Sequence, residues 1–208
     1  MKRVLGRGVL CVGLLCGGMP GAVLAQAPAA SAAAQRPVRV LIAYASATGY
    51  TERMARAVGE GAKQVEPVAV VLKRVADVTE ADLLEADAII VGSPVYNGGM
   101  AATVKAFIDR WPFEKLHDKV GAAFVTGGGA SSGEELAQMS ILSAMLIFRF
   151  VVVGGDTALA PFGASAIVEE GKPADAKGVD DAALAKARGL GARVTRVAGK
   201  LRPPVPAR

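Results

Sequence analysis

The sequence is poor in the side chains on which most catalytic centres are built. Among 208 residues there are two cysteines, one histidine and one tryptophan, and aromatic residues make up only 5%. Both cysteines, Cys11 and Cys16, stand in the first 25 residues. A chain without that stretch has no cysteine for a disulfide, a thiolate nucleophile or a cysteine-ligated metal. The one histidine, His117, sits among charged residues and reads as a solvated surface group. Ser-His-Asp, Cys-His and histidine-rich zinc chemistry therefore lack parts. Neither Gly-x-Gly-x-x-Gly nor the lysine-bearing phosphate loop occurs.

Long apolar runs are scarce as well. The run Val9 to Leu15 is far shorter than the roughly 20 residues that cross a bilayer as a helix, and Gly17, Gly18, Pro20 and Gly21 follow it. With Lys2, Arg3 and Arg7 before it and Ala22-Val23-Leu24-Ala25-Gln26-Ala27 after it, this is the three-part plan of a secretory signal peptide. The expectation is cleavage after Ala25 or Ala27 and an exported, periplasmic product with no membrane span; an uncleaved anchor is the alternative. Neither cysteine follows a lipobox-like triplet, so no lipoprotein is read. Residues 26–37 are expected to be a flexible linker, 38–201 the folded domain, and 202–208, with three prolines, a loose tail.

Charge excludes another class. Of the 24 Lys and Arg residues three lie in the leader, whereas all 19 acids lie beyond it, so the remainder carries 21 against 19. That near balance gives no basic footprint for nucleic acid.

What is present is an alternation. Arg39 to Ala45, Val68 to Leu72, Ala88 to Val91, Val120 to Val125 and Phe150 to Val153 are apolar runs of strand length. Between them lie helical patterns: Thr51 to Ala62, Thr79 to Glu85 with Thr79 as cap, Met100 to Trp111, and Glu134 to Ile147. A last helix opens at Asp180 or Asp181 and carries Leu184, Ala187, Leu190, Val194, Val197 and Leu201 on one face. The stretch 154–178 reads as irregular. Strands apolar throughout are those of a parallel sheet covered on both faces, so the expected fold is α/β, a doubly wound five-stranded parallel sheet in three layers.

In such folds ligands bind beyond the carboxyl ends of the strands, where the strand order reverses. Three loops qualify. The first is Ser46-Ala47-Thr48-Gly49-Tyr50-Thr51, with three Ser/Thr hydroxyls and a glycine before a helix N-terminus, suited to a phosphate held by hydrogen bonds and the helix dipole. The same residues also fit a Ser/Thr helix cap. The second is Gly92-Ser93-Pro94-Val95-Tyr96-Asn97-Gly98-Gly99, and the third is Thr126-Gly127-Gly128-Gly129-Ala130-Ser131-Ser132-Gly133. Gly92 and Ser93 stand where a phospho-acceptor receiver domain needs an aspartate. Trp111 and Tyr96 could wall a substrate site, although Trp111 also fits the apolar stripe of its helix.

Together the loops resemble those of flavodoxin-like FMN proteins, with strand order 2-1-3-4-5. Ser46-x-Thr48-Gly49-x-Thr51 is similar to the flavodoxin phosphate motif, and Gly92 to Met100 looks like the isoalloxazine loop. The likeness is greatest to the WrbA-type NAD(P)H:quinone oxidoreductases and runs from Arg39 almost to Leu201, including Pro161-Phe162-Gly163-Ala164-Ser165. The resemblance implies that residues 46–51 hold the FMN phosphate, that Pro94, Val95, Tyr96, Asn97 and Gly98 contact the ring, and that residues 126–132 line its pyrimidine side. It also implies NAD(P)H as co-substrate, a quinone or other small acceptor, and a homo-oligomer. The chain departs from that family at Ile147, where an ungapped match places a histidine near the flavin, and lacks most of its insertions before strand three and after helix three.

Two function classes follow. One is a two-electron NAD(P)H:quinone reductase; the other is a flavodoxin-type one-electron carrier. Only Gly, Ala and Ser face Tyr96 across the ring loops, which leaves room for a flat substrate and favours the enzyme. Export favours a membrane quinol or a protein as the electron donor.

Overall fold

Apolar side chains alternate to both faces along the first strand, β1 (Val38–Tyr44). Val38, Val40, Ile42 and Tyr44 enter one core, while Leu41 and Ala43 enter the other. That double burial is the reason the segment reads as a continuous apolar run. In the computed structural model, which describes residues 36–168 and 178–202, the same holds for β3 (Ala88–Tyr96) and β5 (Val120–Gly127). The expected signal peptide lies outside the described residues, as does the tail beyond Arg202.

Strands β2 (Val68–Arg74), β1, β3, β5 and β6 (Val151–Val152) are hydrogen-bonded in that order, all in parallel. Counted without the short β4 (Gly99–Met100), this is the order 2-1-3-4-5 implied by the resemblance. Helices α1 (Tyr50–Ala62) and α5 (Asp181–Leu201) cover one face. Gly61 and Gly191 make their contact close: a Cβ on Gly61 would lie 1.8 Å from the Arg188 carbonyl oxygen, and one on Gly191 would lie 1.9 Å from that of Val58. On the other face α3 (Ala102–Asp109) and α4 (Glu134–Ile147) pack over Ile89, Val91, Ala123 and Val125. Trp111 belongs to that core, stacked on Phe150 at 5.5 Å and edge-on to Phe107 at 5.6 Å. Its role is packing, and it does not wall a site. Among the described residues no helix is long and apolar enough to cross a membrane.

Three details correct the expected strands. The fifth strand pairs only at Val151–Val152, opposite Val120 and Gly121. The stretch 154–178 is not irregular throughout: β7 (Ala164–Ile167) pairs in parallel with the upper half of β5, from Phe124↔Ala164 to Gly127↔Ile167. Two short strands thus share one edge of β5 in series. Finally, β3 runs on to Tyr96 and turns back through Asn97 and Gly98 into β4 (Gly99–Met100), which is antiparallel. Both turn residues have positive φ, 51° and 78°, as a two-residue hairpin of right-handed twist requires. Gly92 has a packing reason as well, since a Cβ there would lie 2.0 Å from the Phe124 ring.

Helix α2 (Glu80–Glu85) is held by a capping box, in which Thr79 accepts from the Asp82 N–H while Asp82 accepts from the Thr79 N–H. Asp82 also receives Lys73 at 2.7 Å. Burial disfavours the charged carboxyl, but hydrogen bonds from Lys73 and Thr79 outweigh it and hold the group at about 2, against 3.8 ordinarily. A group held below its unfolded value adds stability above that value and loses it as pH falls through the folded one. Asp82→Asn should therefore melt below the wild type at neutral pH, with the difference closing between about pH 4 and pH 2. Thermal melts stepped in pH check this, and a pH-independent difference would count against it.

Candidate functional site

The parallel pairing of β1, β3 and β5 brings the three loops to one edge of the sheet. The Ala45 N–H donates to the Gly92 carbonyl at 3.1 Å, so the first loop leaves the sheet beside the second. Within it the hydroxyls part company. The Ser46 hydroxyl accepts the Gly49 N–H at 3.1 Å and closes the turn. Thr48 is exposed, while Thr51 is buried with its hydroxyl 2.8 Å from that of Thr126. The N-cap of α1 is Gly49 at φ 95°, and no side chain caps the helix.

The same is true of α4, capped by Gly133 at φ 104°, and of α3. Helices α2 and α5 differ: Thr79 and Asp180 cap them through side chains. Hence α1 and α4 keep their first-turn N–H groups for some other acceptor, whereas in α3 the Val104 N–H turns back onto the Ala101 carbonyl at 2.9 Å. The hydroxyls of residues 46–51 do not serve as a cap.

Gly133 packs on the hairpin tip, where a Cβ would lie 2.6 Å from the Gly98 Cα, which joins the second and third loops by backbone alone. Ser93 braces the hairpin from below, accepting the Ala101 N–H at 2.9 Å and donating to the Pro94 carbonyl. Thr126 and Gly127 are the end of β5, and Gly128 opens the loop proper. Ala47, Thr48, Tyr50, Thr51, Pro94, Val95, Tyr96, Thr126, Gly127 and Gly128 meet around a cavity of 70 Å³. Val168, which the sequence did not mark, completes its wall and donates its N–H to Gly127. Ser46, Gly49, Asn97, Gly98 and residues 129–132 stand outside that wall, with Ala130, Ser131 and Ser132 exposed. The space suits a phosphate group; the ring loops rise beyond it, and Tyr96 there is 48% exposed.

A positive corner adjoins the first loop. Arg74, at the end of β2, donates to the Ser46 carbonyl at 2.8 Å and lies over the Tyr44 ring, 5.7 Å from its centroid. Glu52 takes Arg56 at 2.6 Å and Arg74 at 2.8 Å. The Arg56 hydrogen bond, against burial and with both guanidinium charges, holds Glu52 below the usual carboxylate value. Burial, and then the Glu52 charge, raises the Tyr44 phenol. Two cations on one anion leave the corner positive, although no cation lies within residues 46–51. A second cavity of 330 Å³ opens beside Arg74 and shares Ala47, Pro94 and Tyr96 with the first. The larger cavity of 550 Å³ lies at the opposite, amino end of the strands, lined by Asp87, Lys119 and Val120.

The residues fit an FMN. Open helix N-termini and the Thr48 hydroxyl can meet an anion, and glycines admit a flat ring close to backbone, while the Tyr50 ring closes the cavity from below with its far end against Gly178. Ile147 does not enter the site. It is 68% exposed at the far end of α4, about 20 Å along the axis from the loops at 1.5 Å per residue.

Comparison with known proteins agrees with this geometry. The family model of NADPH-dependent FMN reductase matches residues 73–165. An NAD(P)H dehydrogenase (quinone) of Methylocella silvestris is 34% identical over 197 residues, covering 79% of this chain and 98% of that protein. A flavodoxin of Aquifex aeolicus is 39% identical over 121 residues, 56% of this chain, and the match spans 64% of that flavodoxin's length. The crystal structure of a WrbA-like flavodoxin from Agrobacterium tumefaciens superposes with a TM-score of 0.62 at 25% identity, covering 79% of this chain and 99% of that one. With a relative matched over nearly its whole length and the same sheet beneath it, the chain belongs to the WrbA-type family of flavodoxin-like FMN proteins.

Proposed function

We propose that the protein holds one FMN at the three loops and acts as an FMN-dependent NAD(P)H:quinone oxidoreductase. The observation that carries this is the convergence of the uncapped N-termini of α1 and α4 and a glycine-built cleft at the carboxyl edge of β1, β3 and β5. FMN, when bound, would supply the redox chemistry, two-electron exchange between a reduced nicotinamide and a quinone. The chain's share is binding and placement. Thr48 and the first-turn N–H groups of α1 meet the phosphate, and the Arg56–Glu52–Arg74 cluster adds a favourable field. Tyr96 and the small residues 128–132 bound the ring and leave a face for a flat substrate. No side chain at the cleft is placed as a general acid or base, which hydride transfer does not require, because it depends on position.

The first test is flavin binding. Thr48→Ala should weaken FMN about tenfold or more, the value of one charge-assisted hydrogen bond, and leave riboflavin nearly unchanged. Equal losses for both flavins, read by fluorescence titration, would remove the phosphate from this loop.

The second test separates enzyme from carrier. FMN-loaded protein should oxidise NADH or NADPH with a benzoquinone as acceptor, and Ser131→Trp should stop turnover with FMN still bound, since the indole fills the stacking position. Negligible turnover by the wild type with either nicotinamide would assign it to the one-electron carriers.

Export is part of the proposal. The basic start, apolar run and Ala-x-Ala ending of residues 1–27 support a cleaved leader and a periplasmic product; reduced nicotinamide is then the donor that the purified protein accepts, and a membrane quinol or a protein takes its place outside the cytoplasm. The mature form should begin at Gln26 or Pro28 by N-terminal sequencing; an intact Met1 in the soluble cytoplasmic fraction refutes this.

A further inference from the structure

Glu134 is out of place by any simple reading of its helix. An acidic residue in the first turn favours the helix dipole and ordinarily does so from the surface. Here the residue is 5% exposed and shares its face with Ala137, Gln138, Ile141 and Met145. One carboxyl oxygen, Oε1, has no hydrogen-bond partner. Gln138, one turn on, is also buried but satisfied, donating to the Ala164 carbonyl at 3.1 Å. A buried acceptor without a donor destabilises a fold, the more so when it belongs to a carboxyl group.

Its position suggests where the donor comes from. Oε1 lies against Gly127, so that a Cβ on Gly127 would stand 2.1 Å from it. Gly127 borders the 70 Å³ cavity, and the neighbouring Thr126 hydroxyl touches that of Thr51. On the other side Gly133, directly before Glu134, rests on Gly98. The orphaned oxygen therefore sits at the root of the third loop, where that loop meets the other two. The loop that leaves Gly127 carries a run of backbone N–H groups from Gly128 to Ser132, with only small side chains.

We propose that Glu134 is a positioning residue for the flavin: when FMN binds, backbone N–H groups of residues 128–132 turn onto its carboxyl and fix the loop against the ring. The residue touches the loop and not the flavin. This rests on the FMN reading above and extends it to one residue that neither the motifs nor the cavity wall includes. It makes the apo protein carry a cost that the loaded protein recovers, so stability and binding must move in opposite directions.

The experiment uses the full folded domain with Glu134→Leu and Glu134→Gln. Glu134→Leu removes the acceptor and should leave the apo melting temperature equal or higher, while FMN and riboflavin both bind about tenfold or more weakly. Glu134→Gln retains an acceptor oxygen and should stay within about threefold of wild type. Hydrogen exchange supplies the readout that a merely structural role would not move: amides 128–132 gain protection on adding FMN to wild type and to Glu134→Gln, but not to Glu134→Leu. A lower apo melting temperature for Glu134→Leu, or unchanged flavin affinity, overturns the proposal. So does lost affinity with normal protection of the loop, which means direct contact with the ring. Wild type that binds no flavin is a different failure, since it removes the FMN reading and this proposal with it.

Discussion

The contact on which the site depends is the one between the hydroxyls of Thr51 and Thr126, 75 residues apart in sequence and 2.8 Å apart in space. It ties the first turn of α1 to the end of β5 across the carboxyl edge of the sheet. That approach exists because β1, β3 and β5 are adjacent and parallel, so each delivers its following loop to the same edge. The sheet alone would leave the loops side by side. Glycine closes the remaining distance, through Gly133 on Gly98 and Gly127 on the Glu134 carboxyl, where a side chain would force the segments apart.

The helix ends explain how that edge can hold an anion with no cation in the phosphate loop. A side-chain cap satisfies first-turn N–H groups within the protein, as Thr79 and Asp180 do at the two flanking helices. At α1, α3 and α4 the cap residue is Gly or Ala, and no side-chain cap bond forms. The local stability given up there, typically about 1 kcal/mol where the cap is Ala and a few tenths where it is Gly, is the condition for N–H groups that remain available to a ligand. Arg74 supplies charge from one side, through the Ser46 carbonyl and not through the loop's interior.

Most of this was legible in the sequence wherever a local rule set the outcome. Thr79 and Asp180 were readable as caps, and Glu134 to Ile147 as a helix, because start signals and apolar spacing agree there. What escaped was decided by neighbours in space. Residues 164–167, Ala-Ser-Ala-Ile, have little strand character of their own and form β7 because the upper edge of β5 is free to pair. The run Phe150 to Val153 pairs at only two residues because it meets only the lower part of that edge. Asn97-Gly98 carried a hairpin signal that read as part of a loop, since the return strand is just two residues long. Arg74 lies 28 residues from Ser46 and nothing in its surroundings marks it. The environment of Glu134 is equally silent, because an acid in a first turn is an ordinary surface residue until a glycine strand end is laid against it.

The same edge bears on the choice between turnover and simple electron carriage. A carrier works best with its flavin enclosed, because exposure invites side reactions with small acceptors. Here the only aromatic residue at the ring loops is Tyr96, half exposed on the hairpin tip, and the opposing loop offers Ala130, Ser131 and Ser132, all exposed. Trp111 is committed to the core between Phe107 and Phe150 and does not reach this edge. With no second aromatic to close the stack, the face opposite Tyr96 is bounded by backbone and small side chains, which a flat acceptor can approach. On the proposed FMN reading the aromatic poverty of the sequence is a property of the site: it leaves the substrate to supply the missing ring.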